Sequence, residues 1–376
     1  MTMTHTPLDP LDALLDGTAA ELDLPQALHN AAVAYYQEVG GWLAEDAMAP
    51  TGRLLYPQGS FLLGTVVAPL QGNDFDLDFV VLEPLEKVSI TQADLKARVG
   101  GALIRQLGLH RTYPAANATC SEGRRCWTLT YPGLHEDLLP SIPDREAPPT
   151  GILLTDRQLT TWQHSDPRGY AAWFEQRRQP TLVFKEARGR VETVPSWQRV
   201  KSPLQRAIQV TKRHRDLHYL ENPDDRPPSI LVTTLVALTY AGGSGVLDTV
   251  VHAATHMVDH VEHRGDVWWV PNPVQPLENF ADKWAAHPLR ANRFFDWVQA
   301  LRGDLASIRE ELGMPKIVKR LGVYLGEGPV EKAAEAYGRS TYEQRASGLL
   351  SVAGSAATLG VGGAGSKLRD HGFYGG

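Results

Sequence analysis

The sequence predicts an α+β protein, a mixed sheet backed by helices and followed by a helical lobe. Three observations carry this. Short runs of β-forming residues cluster between Leu54 and Leu139. A stretch with helical spacing, from about Thr91 to Leu107, interrupts them. From Ser202 onward the pattern changes to successive helices. With 376 residues, 43% of them hydrophobic and 21% charged, the chain can bury a full core and fill two closely packed lobes.

In chain order, the segment from about Leu11 to Ala47 places Leu28, Ala31, Tyr35, Val39 and Leu43 at near-helical spacing, which predicts one long helix packed on the core. Strands are expected at Leu54 to Tyr56, Phe75 to Leu82, Trp127 to Tyr131 and Leu134 to Leu139. Ser202-Pro203-Leu204-Gln205 combines an N-cap serine, a proline at the first helical position and a capping-box glutamine, and so opens the helical lobe. Either proline-rich Pro140 to Pro149 or irregular Gln179 to Trp197 can connect the two parts. A boundary near Gln198 gives a core over residues 1–197 and a lobe over 198–342. Residues 343–376 form a third part, rich in Gly, Ala and Ser, with too few large apolar residues to order itself; a flexible tail ending in Gly-Gly is expected.

Composition narrows the function. No run of about 18 apolar residues exists, and the acidic start MTMTHTPLDPLD lacks the basic and hydrophobic regions of a secretory signal, so a cytosolic protein is expected. Cys120 and Cys126 are the only cysteines, too few for a disulfide framework or a four-ligand zinc site; they are read as small buried hydrophobes. The net charge of −6 lacks the basic footprint of a duplex-binding protein but suits small anionic substrates that carry their own metal ions. No repeat of fixed period is present.

The densest chemical signal is Gln58-Gly59-Ser60, then a linker, then Asp74-Phe75-Asp76-Leu77-Asp78-Phe79. On a strand, Asp74, Asp76 and Asp78 share one face while Phe75, Leu77 and Phe79 line the buried one, with neighbouring carboxylates about 6 to 7 Å apart. Acids so placed repel unless a cation bridges them, and hard oxygen ligands call for Mg²⁺ or Mn²⁺. Two such ions activate an attacking hydroxyl and stabilise leaving pyrophosphate, chemistry that needs a further acid from another strand. Asp137, in Leu134-His135-Glu136-Asp137-Leu138-Leu139-Pro140, is the candidate, with Glu136 facing the other way. Gly59 permits close backbone approach to a phosphate, and Ser60 offers a hydroxyl and an amide. An acidic edge strand or a surface calcium site is the alternative for an isolated D-x-D; the preceding Gly-Ser and the later strand acid favour the catalytic reading.

Gly59-Ser60, Asp74-Phe75-Asp76 and Asp137 resemble the motif of the DNA polymerase β-like nucleotidyltransferases, over residues 54 to 140. More specifically, QGSFLLGTVVAP, DFDLDFVV, HEDLLPSIPD, DPRGYAAWF and NPVQPLENFADKW together resemble the bacterial CD-NTases, relatives of cyclic GMP-AMP synthase that make cyclic oligonucleotides in anti-phage defence. The resemblance implies a nucleotidyltransferase core and a helical lobe with nucleoside triphosphates in the cleft between them. It implies Asp74, Asp76 and Asp137 as metal ligands, with Asp137 also helping to activate the hydroxyl, and Gln58, Gly59 and Ser60 on the nucleotide. Asp76-Leu77-Asp78 satisfies the same pattern; Asp74 and Asp76 are preferred because the family's pair comes first in its strand. It further implies ATP, with GTP or another triphosphate, as substrates of a cyclic di- or trinucleotide synthase whose product reaches a downstream effector. The alternatives are linear products, modification of a macromolecule, or an inactive nucleotide-binding scaffold. No zinc-module spacing exists, so direct DNA sensing is not expected.

Arg206, Lys212, Arg213 and Arg215 lie on one helix, where a solvated basic face and a triphosphate contact are both open. By resemblance Lys212 is the phosphate ligand, with Arg213 as fallback. His135 alternates in phase with Asp137; His214 and His218, four apart, lack the companions of a zinc site. Tyr170, Trp173 and Phe174 are read as core aromatics, with a base contact as the alternative. The ending Gly375-Gly376 resembles a substrate of partners related to ubiquitin-activating and ubiquitin-conjugating enzymes, which makes Gly376 a candidate conjugation site.

Overall fold

The computed structural model describes residues 9–70, 74–156, 161–178, 190–197, 200–243 and 245–347, together with three short strands beyond them. The expected long N-terminal helix is two: α1 (Pro10–Glu21) and α2 (Gln26–Glu45). Pro25 stands between them; lacking an N–H and fixed in φ, it starts a helix but does not continue one. The buried stripe of α2 is Ala32, Tyr36, Val39 and Leu43, so Leu28 falls outside it and is 43% exposed.

The core follows with β1 (Leu54–Gln58), α3 (Gly59–Leu62), β2 (Phe75–Leu82), α4 (Gln92–Leu109), β3 (Thr119–Glu122), β4 (Trp127–Tyr131), β5 (Leu134–Pro143), β6 (Ile152–Leu154) and β7 (Gln163–Ser165). The strands form one mixed sheet in the order β1-β2-β5-β4-β3, extended through β6 and β7 from β5. Only β2 and β5 run parallel. Leu55, Leu77, Phe79, Leu129 and Leu138 on one face pack with Val39 and Leu43 of α2 and with Leu95, Val99 and Leu103 of α4. Thr91 caps α4 by accepting the Asp94 N–H. Pro140, expected to end its strand, sits inside β5, whose pairing continues to Ser141 with β2 and to Pro143 with β6.

Next come α5 (Pro167–Arg178), α6 (Pro203–His218), α7 (Ser229–Thr239), α8 (Val246–His256), the hairpin β8 (Glu262–Arg264) and β9 (Val267–Trp269), and the hairpin β10 (Pro271–Asn272) and β11 (Gln275–Asn279). They are followed by α9 (Lys283–Ala286), α10 (Leu289–Glu310), α11 (Met314–Leu325) and α12 (Glu327–Ala346). The capping box at the start of α6 forms as its sequence reads: Gln205 N–H donates to Ser202 Oγ, and the Ser202 N–H to Gln205 Oε1. One core joins the helices, and it includes Leu14 and Leu15 of α1 and Tyr170 and Phe174 of α5. The lobe therefore draws two helices from before the expected boundary near Gln198: their apolar stripes match the helical bundle and not the sheet. In the segment read as a flexible tail, β12 (Leu350–Ala353), β13 (Thr358–Val361) and β14 (Ser366–Lys367) form a small antiparallel sheet, since backbone pairing there does not require large side chains. Gly375 and Gly376 lie outside the described residues. No helix among the described residues is long and apolar enough to cross a membrane.

Candidate active site

A cleft of about 960 Å³ separates the open face of the sheet from the helical lobe. Strand register sets its sheet side, where Gln58, Asp76, Asp78 and His135 line the cleft. Gln58 pairs with Asp78, Asp78 with Asp137, and Asp137 with Thr128, so four residues on four adjacent strands form one row across the sheet. Residues paired in register point to the same face, about 4.8 Å apart. One step along, Asp76 pairs with His135. The alternation read from the sequence holds: Asp76 and Asp78 face the cleft while Phe75, Leu77 and Phe79 are buried, and Glu136 is turned to the far face, fully covered and hydrogen-bonded by Tyr131.

The electrostatics group Asp76, Asp78 and Asp137. Desolvation, then Asp137, then Asp76 push the Asp78 carboxyl up to about 8, against the pull of Lys212. Asp76 is raised by desolvation and Asp137, offset by His135 and Arg226. Thr128 Oγ1 donates to Asp137 Oδ1 at 2.5 Å and fixes that carboxylate. Asp74, one residue before β2, stands apart: its carboxylate lies 3.2 Å from His135 Nε2, and His135 Nδ1 is 3.3 Å from Asp76 Oδ1.

Gly59 begins α3 directly after β1, with φ +67°, a conformation that favours glycine. A Cβ there would sit 2.5 Å from Asp78 Oδ2, so the carboxylate is packed against the glycine backbone itself. Ser60 and Gln58 also line the cleft. Among the described residues no three His, Cys, Asp or Glu side chains are closed around a metal-sized position. The acids nevertheless fit a divalent cation: hard oxygen donors on adjacent strands, one of them raised by burial and then by its like-charged neighbours, are what a cation would relax.

The wall from the lobe is α6, and its basic residues are not a solvated face. Arg206, Lys212, Arg213 and Arg215 are all at most 5% exposed. Gln205 donates to Leu63 O, Gln209 to Val66 O, Lys212 to Thr65 O and Oγ1, and Arg213 to Ala68 O. Positions i, i+4, i+7 and i+8 share one helix face, so one stripe of α6 grips the backbone that follows the Gly59-Ser60 turn. Lys212 reaches the cleft, whereas Arg213 is spent on Ala68 and does not line it. Burial, with Arg215 nearby, lowers the Lys212 ammonium to about 7, which leaves it eager for an anion. Arg226, on the same wall, was not singled out by spacing.

The other candidates have structural partners. Trp297 Nε1 donates to His214 Nδ1 at 3.0 Å, so the Nε2 hydrogen of His214 faces Asp304; the His214–His218 pair does not form a zinc site. Cys120 and Cys126 are half-buried, their thiols pushed up to about 11 by desolvation, which makes them poor nucleophiles at neutral pH. Phe174 is buried in the lobe core, while Tyr170 belongs to that core and to the cleft wall.

No protein-family model matches the sequence. A c-di-GMP synthase of Roseivirga ehrenbergii is 28% identical over 361 residues, covering 93% of this chain and 93% of that protein. The cyclic dinucleotide synthase CdnG of Bradyrhizobium diazoefficiens is 25% identical over 360 residues, covering 88% of this chain and 83% of its own. The solved structure of the B. diazoefficiens CD-NTase CdnG in complex with GTP superposes with a TM-score of 0.69 at 24% identity, over 87% of this chain and 99% of that one.

Proposed function

We infer that this chain, which belongs to the bacterial CD-NTases, joins two nucleoside triphosphates into a cyclic dinucleotide in two successive transfers, each releasing pyrophosphate. The observation that carries this is the register row that sets Asp78 beside Asp137 under the Gly59 turn, at the floor of a cleft closed by the helical lobe. Asp76, Asp78 and Asp137 are assigned as the ligands of Mg²⁺ or Mn²⁺, Asp78 taking the place first given to Asp74. Bound there, the ions would polarise the α-phosphate and lower the pKa of the attacking hydroxyl.

The residues of the chain do the rest. Gln58, the Gly59 and Ser60 amides and the Ser60 hydroxyl hold phosphate oxygens, and Lys212 and Arg226 offset the charge of the leaving pyrophosphate. The ribose hydroxyl of one nucleotide attacks the α-phosphorus of the other. Its O–P bond forms, the bond to the bridging oxygen breaks, pyrophosphate leaves with that electron pair, and Asp137 receives the proton. The linear product turns in the cleft and repeats the step on itself. GTP is the favoured substrate, from the names of the relatives and the bound ligand of the structural neighbour, with ATP as the second. The reading places the enzyme in the cytoplasm, its product acting on a downstream effector. Gly376 remains a proposed conjugation site for ubiquitin-enzyme-like partners; an unchanged intact mass after co-expression with them would remove it.

Chromatography of products from labelled GTP and ATP with Mg²⁺, with phosphatase added to detect free ends, tests the reading. A phosphatase-resistant product is expected, lost by at least about 1,000-fold in Asp78→Asn and in Asp137→Asn, with a smaller effect of Asp74→Asn. Full turnover in Asp78→Asn would sink the assignment.

A further inference from the structure

The transfer chemistry leaves Glu278, a carboxylate of the cleft wall, without a role. Glu278 lies on β11, on the part of the wall contributed by the two hairpins, and its side chain lines the nucleotide space. Among the described residues its hydrogen-bond partners are neutral: Ser165 Oγ is 2.9 and 3.0 Å from its two oxygens, and Asn272 Nδ2 donates to Oε2 at 2.7 Å. Burial pushes the carboxyl up to about 7 against the pull of Asn272, Ser165 and Arg125, with Asp166 raising it further. A half-buried carboxylate without a bonded cation is costly for folding alone.

The surroundings suit a flat aromatic ligand. Trp269, Phe280 and Tyr170 line the same cleft, with Tyr170 and Phe280 edge to face at 6.0 Å. Arg264 lies over the Trp269 ring at 4.6 Å, and the Trp269 indole nitrogen is buried without a hydrogen-bond partner in the structure. The wall is rigidly built: Asn272 Oδ1 accepts the Val274 N–H, while Asn279 accepts the Val270 N–H and donates to Trp268 O. A carboxylate held at a fixed place beside aromatic rings is a device for reading the edge of a base.

We propose that Glu278 selects guanine, its two oxygens accepting the N1–H and the exocyclic 2-amino group of the base. Adenine offers a lone pair at N1 and a C–H at C2, so it loses both bonds and opposes the carboxylate with its own acceptor. The proposal rests on the reading of the cleft as a cyclic dinucleotide synthase, and names the base that this synthase takes at the hairpin side.

The test compares GTP, inosine triphosphate, 1-methylguanosine triphosphate and ATP as substrates of the wild type and of Glu278→Gln, with thermal melting to confirm folding. In the wild type, loss of the 2-amino group is expected to lower kcat/KM by about 10- to 100-fold, the scale of one hydrogen bond to a charged group, and N1-methylation by more. In Glu278→Gln the preference for GTP over ATP falls by at least about 10-fold. Should the wild type use inosine and 1-methylguanosine triphosphates as well as GTP, the proposal is overturned whether or not the variant folds. An unaltered GTP-to-ATP preference in a folded variant overturns it equally. Failure of the synthase reading looks different: the wild type would then make no cyclic product from any triphosphate.

Discussion

Replacing Gly59 by alanine probes the site through a single methyl group. The residue has φ +67°, where an L side chain costs about 1–2 kcal/mol. The added Cβ would also lie 2.5 Å from Asp78 Oδ2 and 3.3 Å from Asp78 Cγ, closer to the oxygen than Cβ atoms come in folded proteins. The carboxylate must retreat by about 0.5 Å or more, and a displacement approaching 1 Å at reacting groups costs about 100-fold in rate. The expectation is thus a modest loss of stability, about 1–2 kcal/mol, with a loss of kcat of about 100-fold. Steady-state kinetics over a Mg²⁺ titration, beside denaturant unfolding, separates the two. Because the fault lies in ligand position, the Mg²⁺ concentration giving half-maximal rate should rise. If kcat and Mg²⁺ dependence stay within about threefold of wild type while stability falls, the claim that Gly59 serves Asp78 is wrong.

Other outcomes follow from the same structure. Lys212→Met removes the donor to Thr65 and the cation facing the cleft, and should reduce kcat/KM by about 10- to 100-fold, whereas Arg213→Met, which loses only the Ala68 contact, should act mainly on stability; equal kinetic losses would refute the distinction. Glu278 has its folded pKa raised to about 7 from 4.5, so its favourable contribution is complete below pH 4.5 and is lost as pH rises through 7. Relative to wild type, nucleotide-free Glu278→Gln should therefore melt higher at pH 8 than at pH 5, and a pH-independent difference would contradict this. Gly100→Ala would drive a methyl to 2.1 Å from the Trp127 indole, costing about 1–3 kcal/mol by overpacking; equilibrium unfolding checks it, and an undisturbed midpoint would show the helix has room to shift.

Much of the core was legible because alternation is a local signal. Phe75 to Leu82 and Trp127 to Tyr131 coincide with β2 and β4 since their apolar residues recur at every second position. β3, the tetrapeptide Thr-Cys-Ser-Glu, has no apolar face and left no trace. The relation among the acids was only half legible. That Asp76 and Asp78 share a face follows from one strand, but that Asp78 and not Asp74 stands beside Asp137 depends on the register between β2 and β5, which no single strand encodes. Charge left the lobe undecided. The basic residues of α6 fit a solvated face or a phosphate contact on sequence alone; they are buried because backbone carbonyls receive them, Thr65 O for Lys212, Ala68 O for Arg213 and Pro227 O for Arg215. Glu278 left no signal, since an isolated acid in a polar hairpin is ordinary until its neutral partners Ser165 and Asn272 are seen.

The grip of α6 on residues 63–68 bears on how the enzyme can be taken apart. Four carbonyls behind the phosphate-side turn find their donors in the other half of the polypeptide, after Ser202. A fragment ending before that serine would keep Asp76, Asp78 and Asp137 and still lack the scaffold that sets the turn's height above them. Activity should therefore vanish on cutting the chain in two and return only when both pieces are mixed, making the synthase a natural candidate for a split-protein reporter.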